Sequence, residues 1–134
     1  MVRDLFSVEN KVVCISGSSR GLGKALAKGF AERGAKVIIS SIDSEELANT
    51  KQEFETQGST TESVVLDVQN QAECQRFVAT ALEIHGKLDV MICNAGTDII
   101  KPAEKYEENA EGGMTLLNYT LYKFHGCQTF LVKW

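Results

Sequence analysis

The chain has 134 residues, 43% of them hydrophobic and 24% charged, with a formal charge of -4; this is the composition of one soluble globular domain and leaves no room for a second. The acidic balance, with a sequence pI near 5.2, gives none of the broad positive field that nucleic acid or an anionic membrane surface would need. No apolar run approaches the ~18 residues of a membrane span, and the first residues, MVRDLFSVEN, carry too short an apolar stretch for a signal peptide. A small-molecule partner and a cytoplasmic location are therefore expected. Cys14, Cys74, Cys93 and Cys127 lack metal-type spacing; they read as reduced thiols, with Cys14 and Cys93 inside apolar runs, and no metal site is expected.

Lys11 to Ser16 is Val-Val-Cys-Ile at its centre and runs into glycine-rich sequence, which suits a strand buried on both faces. From Gly21 the residues Leu22, Ala25, Leu26 and Phe30 share a helical face with Gly29, and Gly34 follows as a stop signal. Val37 to Ile39 is a second strand; Asp43 with Glu46 forms a capping-box-like start to a helix ending near Gly58. Ser63 to Leu66 is a third strand, and Asn70 with Glu73 opens a helix whose Cys74, Phe77, Val78, Ala81, Leu82 and His85 share one face. His85 ends that stripe before Gly86, where an imidazolium would complement the helix dipole. Leu88 to Cys93 gives a fourth strand. The segment from Thr97 to Ala110, with the chain's one proline, reads as a loop, and Met114 to Trp134 as one further helix with apolar residues nearly all round it.

Apolar strands alternating with amphipathic helices predict an α/β fold: a doubly wound parallel sheet of about four strands in three α/β/α layers. The most informative segment is Ser16-Gly17-Ser18-Ser19-Arg20-Gly21-Leu22-Gly23, between the first strand and the first helix. Gly17 and Gly21 would let backbone approach a pyrophosphate, and Gly23 would let the helix sit close to its strand, with the helix N-terminus facing the phosphates. The spacing is not that of a P-loop, because Leu22 stands where its second glycine belongs, nor of G-x-G-x-x-G, because Ser19 stands at its second glycine.

The pattern that fits is G-x-x-x-G-x-G, and here the chain resembles the short-chain dehydrogenase/reductase family, whose motif is T-G-x-x-x-G-x-G; Ser16 keeps the hydroxyl of the threonine. Asp67-Val68 after the third strand resembles the family's adenine-contacting Asp, and Asn94-Ala95-Gly96 after the fourth resembles its N-N-A-G motif. Taken singly, Asp67 reads equally as a solvated strand end and Asn94 to Gly96 as an ordinary turn; together with the glycine loop they read as one site. The resemblance implies a Rossmann-like domain over residues 1–134, incomplete at its C-terminus, that binds NAD(P)(H) through Gly17, Ser19, Arg20, Gly21, Leu22, Gly23, Ser41, Asp67, Val68, Asn94, Ala95 and Gly96.

The sequence also departs from the family. Cys93 replaces the first Asn of N-N-A-G, and Thr120 falls at the position of the family's catalytic Asn. Tyr119 and Lys123 spell the catalytic Y-x-x-x-K, but in the family that pair follows a fifth strand bearing a catalytic Ser. The 23 residues from Gly96 to Tyr119 leave no space for such a strand, so no catalytic residue is assigned. On this reading the chain is the coenzyme half of an oxidoreductase acting on carbonyls or alcohols, or else a non-catalytic nucleotide-binding fragment, truncated isoform or remnant. Arg20, placed to receive a 2'-phosphate, and Ser41, where NAD-preferring folds carry an acid, favour NADP(H), with Asp43 keeping NAD(H) open. An unpaired edge on the fourth strand and the apolar C-terminal helix lead to an expectation of self-association, as a homo-oligomer or an aggregate.

Overall fold

A computed structural model of the chain describes residues 4–95 and the backbone of 128–130. Its elements, in chain order, are β1 (Val12–Ile15), α1 (Gly21–Glu32), β2 (Lys36–Ser41), α2 (Ser44–Thr56), β3 (Thr61–Val65), α3 (Gln71–His85), β4 (Val90–Ile92) and β5 (Gln128–Phe130). The strands form one parallel sheet in the order β3-β2-β1-β4-β5. β1 lies at the centre because the chain first builds outward through β2 and β3, then crosses back to place β4 on the other side. The gap between the loops after β1 and β4 is thus the point where the winding reverses.

The side chains of β1, β2 and β4 alternate between two cores. Val12, Cys14, Ile38 and Met91 pack with Phe77 and Val78 of α3 on one face. Val13, Ile15, Val37, Ile39 and Ile92 pack with Ala27 of α1 and Leu47 and Phe54 of α2 on the other. Burial on both faces explains why β1, β2 and β4 read as continuous apolar runs rather than as an alternating pattern.

α2 and α3 begin where their capping residues place them. The Asp43 carboxylate accepts hydrogen bonds from the N–H groups of Glu45 and Glu46 at 3.0 and 2.9 Å, and the Asn70 carbonyl oxygen from those of Ala72 and Glu73 at 3.0 and 3.2 Å. α3 stops at Gly86, whose left-handed backbone (φ 71°) closes the helix on Leu82 O. On α1 the buried residues are Gly23 and Ala27, whereas Leu22 and Ala25 of the expected stripe face solvent. Leu82 of α3 is likewise exposed. His85 stands in the last turn of α3, before Gly86; burial, with Lys36 nearby, lowers its pKa and so works against the cationic form there.

The largest departure is at the sheet edge. β4 is not an edge strand: β5 pairs with it in parallel, Met91 opposite Thr129. The expected helix over Met114 to Trp134 therefore does not extend through Gln128–Phe130. Thr129 and Phe130 are strand-favouring residues following Gly126, and pairing with β4 satisfies backbone groups on both strands. The argument for self-association through an open β4 edge falls with it. Residues 96–127, with Gly96, Tyr119, Thr120 and Lys123, lie outside the described residues.

At the opposite end of the sheet from the glycine loop, Asp89 ties β4 to β1. Its N–H donates to Val12 O at 3.0 Å, its carboxylate accepts from Val12 N at 2.8 Å, and Lys87 lies 3.0 Å from it. Burial alone would raise its pKa, but the Val12 N–H together with Lys87 and Lys11 holds it below the ordinary value. The carboxylate therefore stabilises the fold above the unfolded pKa of about 3.9 and loses that contribution as pH falls through the lower folded value. Asp89→Ala is expected to cost about 1–3 kcal/mol at neutral pH. In urea unfolding the gap between parent and variant should narrow below about pH 4; a gap independent of pH down to about pH 2 would refute the charge's role.

Candidate functional site

The loop after β1 is held in place from both sides. Toward β4, Ser16 Oγ accepts hydrogen bonds from Asn94 N at 3.0 Å and Ala95 N at 3.1 Å, while Asn94 Nδ2 donates to Gly17 O at 3.0 Å. Toward β2, Ser18 Oγ donates to Ile15 O at 2.8 Å and accepts from Ser40 N at 3.0 Å. Ser16, Ser18 and Ser40 are buried, and each of these hydroxyls gains a partner that offsets its desolvation. α2 supplies a third anchor: Thr50 Oγ1 donates to Ser19 O at 2.8 Å, and Ser19 Oγ donates to the Glu46 carboxylate.

The glycines do different work. Gly17 and Gly21 have left-handed backbones, φ 64° and 58°, which L side chains adopt only at a cost. A Cβ on Gly17 would lie 2.9 Å from Ala95 Cα, and one on Gly23 would lie 2.2 Å from Gly17 O and 2.6 Å from Asn94 Nδ2. At Gly21 an added Cβ would meet nothing within 4 Å. Gly17 and Gly23 are thus demanded by the protein's own packing, whereas Gly21 borders open space.

That space is a cavity of about 350 Å³ lined by Gly17, Ser19, Arg20, Gly21, Ser41, Ile42, Leu66, Asp67, Val68, Asn94 and Ala95. The three motifs expected to form one site therefore meet at one place. Leu22 and Gly23 do not line it: Leu22 is 45% exposed on α1, and Gly23 acts through packing. Ile42 and Leu66 line it and were not expected, because an apolar residue beside a strand end carries no distinctive sequence signal.

Among the described residues, the start of α1 gives the cavity a positive feature besides Arg20. No side chain caps the N-terminus of α1, and its first turn holds no acidic residue, in contrast to α2 and α3 with their Asp43 and Asn70 caps. The first N–H groups of α1 and the positive end of its dipole are thus available to an anion. Open space at Gly21, a cradle in which a Cβ would disturb Gly17 and Gly23, and an uncapped helix start together fit a pyrophosphate.

The coenzyme-choice residues are more entangled than the sequence suggests. Arg20 is exposed, but its guanidinium lies 3.8 Å from the Glu46 carboxylate. Ser41 Oγ accepts from Asp43 N at 3.1 Å, and the Asp43 carboxylate is engaged at the start of α2. Glu46 was read only as half of a capping box; its carboxylate turns instead to Ser19 and Arg20. Asp67 is equally committed, its Oδ1 accepting from Gln69 N at 2.9 Å and its N–H donating to Glu73 at 2.7 Å. Burial, with Asp67 and Glu73 nearby, pushes the Cys74 thiol pKa up, so it stays protonated. The described residues contain no cluster able to hold a metal ion.

The sheet, its switch-point cavity and the G-x-x-x-G-x-G loop define a dinucleotide-binding type of α/β domain. The chain belongs to the short chain dehydrogenase family, whose family model matches residues 11–133. Among curated relatives, subunit BbsD of hydroxy(phenyl)methylsuccinyl-CoA dehydrogenase from Thauera aromatica is 35% identical over 101 residues, 75% of this chain and 41% of the relative. A short-chain dehydrogenase/reductase from Burkholderia phymatum, solved with NAD, matches with TM-score 0.72 at 30% identity over 78% of this chain and 37% of its own. A metagenomic short-chain oxidoreductase solved with NADP matches with TM-score 0.64 at 32% identity over 68% and 41%. The chain spans 40% to 41% of the length of three such curated relatives.

Two α1 glycines should respond oppositely to alanine. A helix-interior Gly→Ala change normally stabilises by up to about 1 kcal/mol, and at Gly29, where the nearest neighbour would be Arg33 Nη1 at 3.6 Å, that gain should appear. At Gly23 the obstructing Gly17 O cannot swing aside, and overpacking against backbone should leave a net loss of about 2 kcal/mol. Chemical unfolding of both variants tests this; a stabilised Gly23→Ala would refute the close-packing role.

Proposed function

We propose that the chain binds NAD(P)(H) and supplies the coenzyme-holding half of an oxidoreductase that interconverts carbonyl and alcohol groups. The observation that carries this reading is the convergence of the β1, β3 and β4 loops on one cavity beside the uncapped start of α1. The backbone from Gly17 to Gly23 and the first turn of α1 would receive the pyrophosphate. Ser41, Ile42, Leu66, Asp67 and Val68 would hold the adenosine end, and Asn94, Ala95 and Gly96 would border the path toward the nicotinamide. When bound, the coenzyme supplies a hydride donor or acceptor; the residues named here bind and orient it. The NAD- and NADP-bound relatives support the nucleotide class.

No catalytic residue is proposed within the chain. Tyr119 and Lys123 precede β5 in sequence, whereas the family's catalytic pair follows its fifth strand, and Gln128–Phe130 contains no serine. The reading is therefore of a coenzyme-binding domain, 1–134, that works with further family elements or stands as a nucleotide-binding fragment. We place it in the cytoplasm, a reducing compartment that suits the buried Cys74 thiol. Among the described residues no helix is long and apolar enough to cross a membrane. Association with a second copy retains in its support the apolar residues of the C-terminal segment, among them Leu116, Leu117, Leu121, Phe124, Leu131, Val132 and Trp134.

Gly21→Val should weaken binding of both NADH and NADPH by about 10- to 100-fold, the scale of one or two lost hydrogen bonds to a charged group. Gly58→Val is the matched control, since Gly58 also has a left-handed backbone (φ 82°) with nothing within 4 Å of an added Cβ but follows the far end of α2. Both variants should lose similar stability, and only Gly21→Val should lose nucleotide. Fluorescence titration with each coenzyme checks the pair; undiminished binding by folded Gly21→Val would refute the site.

A further inference from the structure

We propose that Glu46, in the first turn of α2, is the coenzyme-discriminating residue of this chain, acting against a 2'-phosphate by neutralising Arg20. The inference rests on the dinucleotide reading above. Two contacts place it. One carboxylate oxygen of Glu46 accepts a hydrogen bond from Ser19 Oγ, and the other lies 3.8 Å from Arg20 Nη1. Glu46 does not line the cavity, but Ser19 and Arg20 both do, together with Ser41 at the end of β2.

The corner where an adenosine ribose would present its 2'-substituent therefore holds one cation and one anion. Arg20 is 85% exposed at its side chain, whereas Glu46 is 32% exposed and is fixed by Ser19. The anion is the better-held partner, so its position is set by the protein rather than by the arginine. A 2'-phosphate arriving at Arg20 must draw the guanidinium away from Glu46 and settle near a fixed carboxylate. A free 2'-hydroxyl meets no such opposition. The other charges nearby do not relieve it: Lys24 is paired with Glu53 at 2.6 Å, and the Asp43 carboxylate caps α2. An acid supplied from the first turn of the following helix thus does the work that an acid at the end of the second strand does in NAD-preferring folds. Ser41, which carries no charge, leaves this task open.

Dissociation constants for NADPH and NADH, measured by titration of the full chain and of Glu46→Gln, Arg20→Ala and the double variant, test the assignment. Glu46→Gln should shift the NADPH-to-NADH affinity ratio toward NADPH by roughly three- to tenfold at low ionic strength, and the shift should shrink as salt is added. Arg20→Ala should cost NADPH more in the Glu46→Gln background than in the parent. An unchanged ratio with both coenzymes bound would overturn this inference and leave the dinucleotide site standing. So would an equal weakening of both coenzymes by Glu46→Ala with no effect of Glu46→Gln, which would make Glu46 only an anchor for Ser19. Binding of neither coenzyme by the folded parent would overturn the dinucleotide reading and this inference together.

Discussion

The structure depends on the close contact between the ends of β1 and β4. In the parallel register Ile15 lies opposite Ile92, so the residues that follow them leave the sheet side by side, and a single hydroxyl at Ser16 can accept both Asn94 N and Ala95 N. That arrangement lets Gly17 touch Ala95 and lets α1 approach until a Cβ on Gly23 would collide with Gly17 O. The helix is consequently seated with its first turn over the cavity rather than displaced along the strand. Wider spacing at this point would separate the β1 and β4 loops and move the α1 dipole away from the place where an anion would sit.

Capping then divides the helices by role. α2 and α3 have their first N–H groups engaged by Asp43 and Asn70, which stabilises each by about 1 kcal/mol relative to an uncapped start. α1 forgoes that stabilisation, and its Arg20 cap position offers no side-chain acceptor. The fold compensates elsewhere: the loop before α1 is fixed by buried serine hydroxyls, by Thr50 and by Glu46, so the uncapped end stays in place without self-satisfaction. A rule of local stability is broken at one helix only among those described, and that helix borders the cavity.

Much of this was legible in the sequence, for physical reasons that also explain the failures. β1, β2 and β4 are buried on both faces and so announce themselves as apolar runs, and the Asp43 and Asn70 caps mark the starts of α2 and α3. Of the α1 stripe, Leu26 and Phe30 pack against the core as expected while Leu22 and Ala25 face solvent, because the tightest contact belongs to Gly23, whose close approach the glycine spacing signals. β5 was missed because a three-residue strand inside a long apolar segment shows no period of its own; what holds it is pairing with β4, a non-local partner. At the site, the three motifs were readable because each follows a strand that reads clearly. Glu46 was not, because its position three residues after Asp43 already had a sufficient local explanation in the capping-box pattern.

The turns after the strands shape the electrostatics of the cavity rim. After β2, Ser41 Oγ accepts from Asp43 N; after β3, Asp67 Oδ1 accepts from Gln69 N; after β4, Ser16 Oγ takes the N–H groups of Asn94 and Ala95. Side-chain oxygens thus consume these backbone donors around the rim. Among the described residues, the uncapped start of α1 and the exposed Arg20 stand on the β1 side of the cavity, where a phosphate would be met. The rim beyond β2 and β3, with Ile42, Leu66 and Val68 beside hydroxyl and carboxylate groups already engaged in their own turns, is left to a flat, less charged group.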